Sequence, residues 1–326
     1  MLITGSNGFI AGHLVRRYLQ SGVRIIGIDL GGQPKITHPN YQYYSIDIND
    51  WDSLAAIFAK HRIDAVLHLA AIVHRKGKNL TSKDYEQTNF KSSEFLFRLC
   101  AEKDVMEVVF FSTIEVYGTQ EFRVIHEDVP PAPITHYGIS KFLAEKAAQR
   151  IFTENNTGAA ILRLAPVYSR DFMANIARRV VFPGNGFYYY FRDGLYSFSF
   201  CSLYNIMDLV DLILAQRARD VQIYNVADSD NYAVRDVIRL LSDRNKKPVI
   251  RLPYGMAYHF LSTMDLFNGF LKRDGYLSGR NLVKLLDSKI YSVEKLALRL
   301  NYFPSWSLDR TLQLSPETRI NIPAGI

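Results

Sequence analysis

At 326 residues, 48% hydrophobic and 22% charged, the chain carries enough apolar side chain to bury a large core, which excludes a disordered chain, a fibre and a disulfide-stapled miniprotein. Its 39 Lys and Arg against 32 Asp and Glu leave a net charge of +7 spread along the sequence; without a basic stripe or an aromatic platform motif, this points to a small phosphate-bearing ligand and not to nucleic acid. Cys100 and Cys201 stand far apart with no second Cys or His at ligand spacing, so neither a disulfide framework nor a metal site is expected, and a reducing cytoplasm is the expected compartment.

From the first residue, Met1-Leu2-Ile3-Thr4-Gly5 shows no basic leader ahead of a long apolar stretch, so no secretion signal is read and the fold is expected to start at once. The first half alternates short apolar runs with helical periodicity. Helices are predicted over 7–20, 50–60, 84–103 and 134–153, with Asp50 placed as an N-cap. Strands over 23–29, 64–69 and 105–111 are apolar and rich in β-branched residues, as strands covered on both faces are. Such a succession builds right-handed βαβ units, so the expected fold class is α/β, a Rossmann-type doubly wound parallel sheet. After 159–164 the sequence turns rich in Gly, Tyr and Phe, notably over 183–191, where a substrate region is expected to begin. A helix over 206–217 and a strand over 221–226 read as a return to the sheet. The expected division is a dinucleotide-binding domain of 1–165 and about 203–227, with a smaller, discontinuous substrate-binding lobe of about 166–202 and 228–326. The longest uncharged apolar segments, 195–207 and 252–264, fall short of the ~20 residues that cross a bilayer, so no span is predicted. The second reads as a helix packed over a substrate pocket, in preference to an amphipathic helix on a membrane.

Thr4-Gly5-Ser6-Asn7-Gly8-Phe9-Ile10-Ala11-Gly12 follows a short strand and opens a helix, where spaced glycines have a mechanical purpose. Gly5 permits the tight turn, Gly8 lets a pyrophosphate approach the backbone at the positive end of the helix, and small Ala11 lets that helix pack closely on the strand. Asp29 ends the second strand about 20 residues on, where a carboxylate accepts both ribose hydroxyls of an adenosine. A 2′-phosphate would meet like charge there, which favours NAD over NADP; Lys35 is the nearest cation.

Tyr137 and Lys141, in Tyr137-Gly138-Ile139-Ser140-Lys141, are four apart on a predicted helix and so side by side on one face. Positive charge from Lys141 and from an oxidised nicotinamide would lower the phenol from ~10 towards the working range of a general base. Thr113, at the end of the strand over 105–111, is placed to hydrogen-bond a substrate hydroxyl and hold it against that phenol.

Taken with Asp47-Ile48, His68-Leu69-Ala70-Ala71, Asn89, Ser112-Thr113-Ile114-Glu115-Val116-Tyr117-Gly118 and Leu162-Arg163, these motifs resemble the extended short-chain dehydrogenase/reductase superfamily, in its NAD-dependent nucleotide-sugar epimerase and dehydratase branch. The resemblance covers nearly the whole chain. It implies NAD held by Gly5, Asn7, Gly8, Phe9, Ile10, Asp29, Asp47, Ile48, Leu69, Ala70, Ala71, Asn89, Ser112, Tyr137 and Lys141. In that arrangement Asp47 and Ile48 flank the adenine, Ala70 and Ala71 line the dinucleotide, and Lys141 also holds the nicotinamide ribose. Asn89 has a helix-to-backbone tie as its alternative role, and His68 reads as a packed residue, not a ligand or base. A homodimer through two helices per subunit follows from the same resemblance, as does a place in polysaccharide precursor synthesis. The stretch 296–312 looks like the family's closing segment, so a complete chain is expected.

In this family a tyrosinate takes a hydroxyl proton while hydride passes from C4 of the sugar to NAD. An epimerase then returns hydride to the other face of the 4-keto sugar, with Thr113, Tyr137 and Lys141 as its catalytic set. Glu115 adds a further catalytic candidate, because the family's dehydratases resemble this chain in a Thr and a Glu two apart, the Glu taking the C5 proton. The dTDP-glucose type has an Asp between them, where this chain has Ile114. If the backbone stays extended past the strand, period-2 geometry aims Thr113 and Glu115 at the same face. The segment 162–169 lacks the Asn and final Gly of the family's Arg-x-x-Asn-Val-Tyr-Gly, and Asn175, Arg178, Arg179 and Arg192 are the expected replacements at the substrate phosphates, since guanidinium groups bind phosphate oxygens bidentately. The leading expectation is an NAD-dependent nucleotide-diphosphate-sugar 4-epimerase. Its alternatives are a 4-keto-sugar reductase using NAD(P)H, a dehydratase or decarboxylase using Glu115, and a catalytically silent dinucleotide-binding regulator.

Overall fold

The computed structural model describes residues 1–73, 80–182, 186–256, 258–259, 286 and 289–314. In chain order its elements are β1 (Leu2–Thr4), α1 (Phe9–Gln20), β2 (Ile25–Asp29), β3 (Tyr41–Ser45), α2 (Trp51–Lys60), β4 (Ala65–His68), α3 (Ser82–Tyr85), α4 (Ser92–Glu102), β5 (Glu107–Thr113), β6 (Val124–Ile125) and α5 (His136–Glu154). They continue with β7 (Gly158–Leu164), β8 (Val167–Tyr168), α6 (Ala174–Val180), β9 (Tyr188–Phe191), β10 (Ser197–Phe198), β11 (Cys201–Ser202), α7 (Leu203–Gln216), β12 (Val221–Val226), β13 (Tyr232–Ala233), α8 (Val234–Asn245), β14 (Val249–Leu252) and β15 (Ile290–Tyr291). Two short helices, Glu294–Leu300 and Leu308–Gln313, follow.

Seven strands form one parallel sheet in the order β12-β7-β5-β4-β1-β2-β3. This is the α/β, doubly wound arrangement that the alternating pattern predicts. Successive side chains of a strand go to opposite faces, and both sets here are apolar. Ile3, Leu67, Val109 and Leu162 pack with Leu14 of α1 and Ile206 of α7, while Leu2, Val66, Val108 and Ile161 pack with Leu54 of α2, Phe97 of α4 and Ala148 of α5. Chain order reverses at β1, which has β2 on one side and β4 on the other. At such a switch point the loops diverge and leave a crevice beyond the carboxyl ends of the strands.

Beyond β7, an aromatic core of Tyr168, Phe191, Phe198, Phe200 and Tyr232 joins β8, β9, β10 and β13. Its polar centre is buried Asp228, which accepts from Tyr168 Oη (2.6 Å), Tyr232 Oη (2.9 Å), Ser202 N (2.7 Å) and Asn205 Nδ2 (2.7 Å). No described helix is long and apolar enough to cross a membrane, and no group of His, Cys, Asp and Glu among the described residues could hold a metal ion. Residues 257 and 260–264 of the segment 252–264, all of 281–283 and residues 183–185 lie outside the described residues.

Asp50 caps α2 as the sequence predicts, its carboxylate accepting from Ser53 N at 3.1 Å. The helix predicted over 84–103 is instead three pieces. It opens at Ser82, where Thr81 N donates to Asp84 Oδ2 (2.7 Å), passes through a wide π-helical turn over Glu86–Lys91 and continues as α4. The extra residue in that turn brings Asn89 inward, where its carboxamide is fully buried and pairs with both backbone groups of Ile72. The strand predicted over 105–111 runs two residues further, because Ser112 and Thr113 still pair with Arg163 and Leu164.

Glu107, at the start of β5, is buried with Oε2 unpaired among the described residues, and burial, reinforced by Asp220, pushes its carboxyl up to about 8. The folded value lies above the unfolded one, so this group's contribution to stability is whole below the ordinary carboxylate range and is lost as pH rises through about 8. Chemical denaturation should therefore show Glu107→Gln gaining at least about 1 kcal/mol on the parent protein between pH 5 and pH 9. A difference that stays constant with pH would show that the carboxyl titrates normally.

Candidate functional site

A cavity of about 1630 Å³ occupies the crevice. That exceeds the roughly 300–1,000 Å³ that encloses one small ligand, so there is room for two placed end to end. Gly5 has φ +67°, and a Cβ there would stand 2.9 Å from Ala70 N; one on Gly8 would stand 2.9 Å from Gly5 O. Both positions therefore need glycine, and the bare backbone they leave lies where α1 presents its free N–H groups. Ala11 is buried in the core under α1, as close packing of that helix requires. Gly5, Asn7, Gly8, Phe9 and Ile10 all line the cavity, with the Phe9 ring 4.5 Å from that of Phe172.

Asp29, at the end of β2, also lines the cavity and accepts from Asn7 N (2.9 Å) and Gly31 N (3.3 Å). Asp47 and Ile48 follow β3, and Leu69, Ala70 and Ala71 follow β4; all five line the same cavity. A carboxylate beside a glycine-lined helix start, with apolar walls to either side, fits an adenosine dinucleotide.

The walls are held by one buried polar chain. Thr4 Oγ1 accepts from Leu69 N (3.2 Å) and Ala70 N (3.1 Å) and gives its own proton to His68 Nδ1 (2.7 Å). Ser93 Oγ donates to Asn89 O, so it is His68 Nε2 that donates to Ser93 (2.8 Å). Burial, and then the charge of Lys141, keeps this imidazole neutral. Asn89 Nδ2 donates to Ile72 O (2.9 Å) and to Ser140 Oγ (3.1 Å), and Ser140 Oγ donates to Tyr137 O (2.9 Å). Asn89 is thus absent from the cavity lining and acts through Ile72 and Ser140. His68 is a packed residue, stacked on Phe110, yet wired on both ring nitrogens.

On the β5 side the cavity gathers Ser112, Thr113, Glu115, Thr135 and Tyr137. The backbone does not stay extended after Thr113. Thr113 Oγ1 accepts from Glu115 N (3.2 Å) and caps a 3-10 turn over Ile114–Tyr117, so the period-2 argument for Thr113 and Glu115 fails, although both still reach the cavity. Glu115 Oε2 accepts from Thr135 Oγ1 (3.0 Å), which also caps α5 by accepting from Gly138 N (2.9 Å). Thr135 was not singled out in the sequence; its signal was a threonine just ahead of an apolar helix.

Tyr137 and Lys141 lie one turn apart on α5, but the charge balance differs from the expectation. The half-buried phenol is pushed above its usual range by burial, then by Glu115 and Tyr85, and Lys141 does not reverse this. Lys141 is itself buried behind the cavity wall, its Nζ 4.3 Å from the Phe110 ring centroid, and burial lowers it to about 7 against the opposing pull of Glu145. Ser112 lines the cavity while its hydroxyl donates to Glu145 Oε1 (2.5 Å). Glu145 pairs with Arg163 (2.7 Å), which reaches Tyr117 Oη (2.9 Å). No spacing in the sequence announces that pair, since its partners come from α5 and β7.

At the far side Asn175, Arg178 and Arg179 line the cavity with Phe172, Tyr189, Phe191 and Phe198. Asn175 Nδ2 donates to Val167 O (2.8 Å), and the Asn175 backbone carbonyl accepts from Arg179 Nη1 (2.9 Å). The Arg179 guanidinium lies 5.1 Å over the Phe198 ring. Arg192 is not in the lining; it is exposed, with its guanidinium 4.6 Å over the Tyr254 ring.

Comparison with known proteins agrees with this geometry. The model of the NAD dependent epimerase/dehydratase family matches residues 1–227. UDP-glucose 4-epimerase of Azospirillum brasilense is 30% identical over 173 residues, 52% of this chain and 50% of its own. The chain spans about half the length of the curated relatives it matches. Among solved structures, UDP-glucose 4-epimerase from Thermotoga maritima with UDP-glucose superposes at a TM-score of 0.72 and 23% identity over 95% of both chains. WbmG of Bordetella bronchiseptica with NAD and UDP gives 0.73 at 19% identity, over 95% of this chain and 90% of that one. At those identities the likeness is one of fold.

The Thr4 hub yields a direct test. Thr4→Val keeps the shape but strands Leu69 N and Ala70 N without their acceptor, and should cost about 1–3 kcal/mol in urea unfolding. A loss below about 0.5 kcal/mol would show that the hub does not hold the wall.

Proposed function

The chain belongs to the NAD dependent epimerase/dehydratase family, and on that premise we propose that it is a nucleotide-diphosphate-sugar 4-epimerase acting through a 4-keto sugar. The observation that carries the reading is the single cavity that brings the glycine loop and Asp29 together with Thr113 and Tyr137, and with Arg178 and Arg179 of the smaller lobe. Gly5, Gly8 and the start of α1 would hold the pyrophosphate of NAD, Asp29 its adenosine ribose, Asp47 and Ile48 its adenine, and Leu69, Ala70 and Ala71 the wall beside it. NAD, when bound, supplies a hydride acceptor and donor at sugar C4 together with a positively charged ring.

Thr113 Oγ1 already accepts from Glu115 N, which leaves its own proton to donate to a sugar oxygen and fix the C4 hydroxyl. Tyr137 takes the hydroxyl proton and later returns it. Its raised pKa keeps the resting phenol protonated, so ionisation to the base requires added positive charge to outweigh burial and Glu115. Lys141, one turn along but buried behind the cavity wall against Phe110, would supply part of that charge and would hold the nicotinamide ribose by turning its ammonium towards the cavity. Arg178 and Arg179 would grip the substrate's diphosphate, with the neighbouring aromatic rings walling the nucleoside. Homodimer formation and supply of polysaccharide precursors belong to the same proposal and rest on the family resemblance, and a cytoplasmic site of action rests on the two distant cysteines.

A second reading has its own observation: the Glu115 carboxylate lines the cavity, where a dehydratase would use it at C5. The two separate cleanly. Incubation with NAD and a panel of UDP- and dTDP-hexoses, read by mass and NMR, should give an unchanged mass and a new C4 stereoisomer. Loss of water would establish the dehydratase reading, and no change in any sugar would contradict both. Tyr137→Phe should lower turnover at least about 100-fold while NAD affinity stays within about threefold. Glu115→Gln removes negative charge beside the phenol, so the acid limb of the pH–rate profile should move to lower pH with turnover retained. A limb that stays in place, or moves up, would refute the tuning role.

A further inference from the structure

Asn7 lies in the phosphate loop, but its carboxamide serves the segment that follows Asp29. Nδ2 donates to Gln33 O (3.1 Å) and to Tyr43 Oη (3.1 Å), and Oδ1 accepts from Lys35 N (3.0 Å). Tyr43 Oη in turn donates to Gly31 O. Asp29 closes the set from the other side, with its two carboxylate oxygens accepting from Asn7 N and Gly31 N. Residues 31–35 form no helix or strand, and Gly31, Gly32, Gln33 and Lys35 are exposed, so little besides these bonds fixes them. Gly31 belongs to the device, because a Cβ there would come within 3.0 Å of Asn7 Nδ2.

Granting that the cavity takes NAD, as proposed above, we propose that Asn7 is a positioning residue, a latch that fixes the 31–35 loop beside Asp29 and sets the preference for a free adenosine 2′-hydroxyl over a 2′-phosphate. The argument is one of space and charge. A 2′-phosphate is bulkier than a hydroxyl and meets the Asp29 carboxylate; it is accommodated only if the adjoining backbone withdraws and a cation approaches. Lys35 lines the cavity and is the cation at hand, but its backbone N–H is bound to Asn7. The closed latch therefore opposes both adjustments, and an open one permits them. At the same time the latch holds Gly31 N against Asp29, which keeps the carboxylate oriented for a ribose hydroxyl pair.

Calorimetric titration of the whole protein with NAD and with NADP tests this, using Asn7→Ala, Gly31→Ala and the double variant Asn7→Ala/Lys35→Ala. The parent protein should prefer NAD. In Asn7→Ala the ratio Kd(NADP)/Kd(NAD) should fall by about fivefold or more, the scale of one or two lost hydrogen bonds. Gly31→Ala should shift the ratio the same way by less, and removing Lys35 as well should restore the rejection of NADP. Equal weakening of both dinucleotides, or no change in the ratio, overturns the latch. Should the parent bind neither dinucleotide, the NAD reading itself fails, and amide hydrogen exchange of the ligand-free protein decides the latch alone. Asn7→Ala should then speed exchange at the Lys35 amide about tenfold while β5 amides are unaffected, and an unchanged Lys35 rate overturns it.

Discussion

Thr4 Oγ1 binds two backbone N–H groups of the β4 loop and one nitrogen of His68, and from His68 hydrogen bonds run through Ser93, Asn89 and Ser140 to the backbone of Tyr137. Thr4, His68, Ser93, Asn89 and Ser140 are all deeply buried, so the side-chain bonds among them are made in a low-dielectric setting where losing a partner is costly. The strand that precedes the glycine loop and the helix that carries the phenol are thereby parts of one rigid body. In the proposed reaction a hydride and a proton leave the same sugar carbon and its oxygen in different directions, which demands that the surface facing the dinucleotide and the side chain taking the proton keep a fixed separation. The buried chain supplies that constraint without itself entering the cavity.

Electrostatics adds a second layer. Burial drives both titratable groups of α5 at the site towards neutrality, lowering Lys141 and raising Tyr137, and Glu115 strengthens the effect on the phenol. Charge that arrives beside these two groups with a ligand therefore has a large influence on both. Glu115 is held in place by Thr135, the residue that caps α5, so the start of the helix and the carboxylate beside the phenol are set by one hydroxyl.

Much of this was legible in the sequence, for identifiable reasons. The glycine loop, Asp29 and the Tyr137/Lys141 spacing are local patterns, and local patterns survive folding. The continuous apolar runs revealed strands buried on both faces, and β12 pairs with β7 along its whole length, from Val221 opposite Ala159 to Val226 opposite Leu164. What escaped depends on contacts across the chain. The π turn at Asn89 answers to Ile72, the Glu145–Arg163 pair joins a helix to a strand, and the 3-10 turn after Thr113 is fixed by the threonine's own hydroxyl. Arg192 was placed in the site by its charge alone, and nothing in its spacing could show that Tyr254 would hold it elsewhere. The Lys141 effect on the phenol was overestimated because spacing on a helix says nothing about burial.

The account stands on the phenol and the dinucleotide surface meeting at one sugar carbon. Turnover of a nucleotide hexose carrying deuterium at C4, followed by NMR in ordinary water, examines that meeting directly. The account predicts that the deuterium is found at C4 of the epimerised product, with no exchange against solvent at C4 or C5. Deuterium lost to water, or solvent hydrogen introduced at C5, would contradict it.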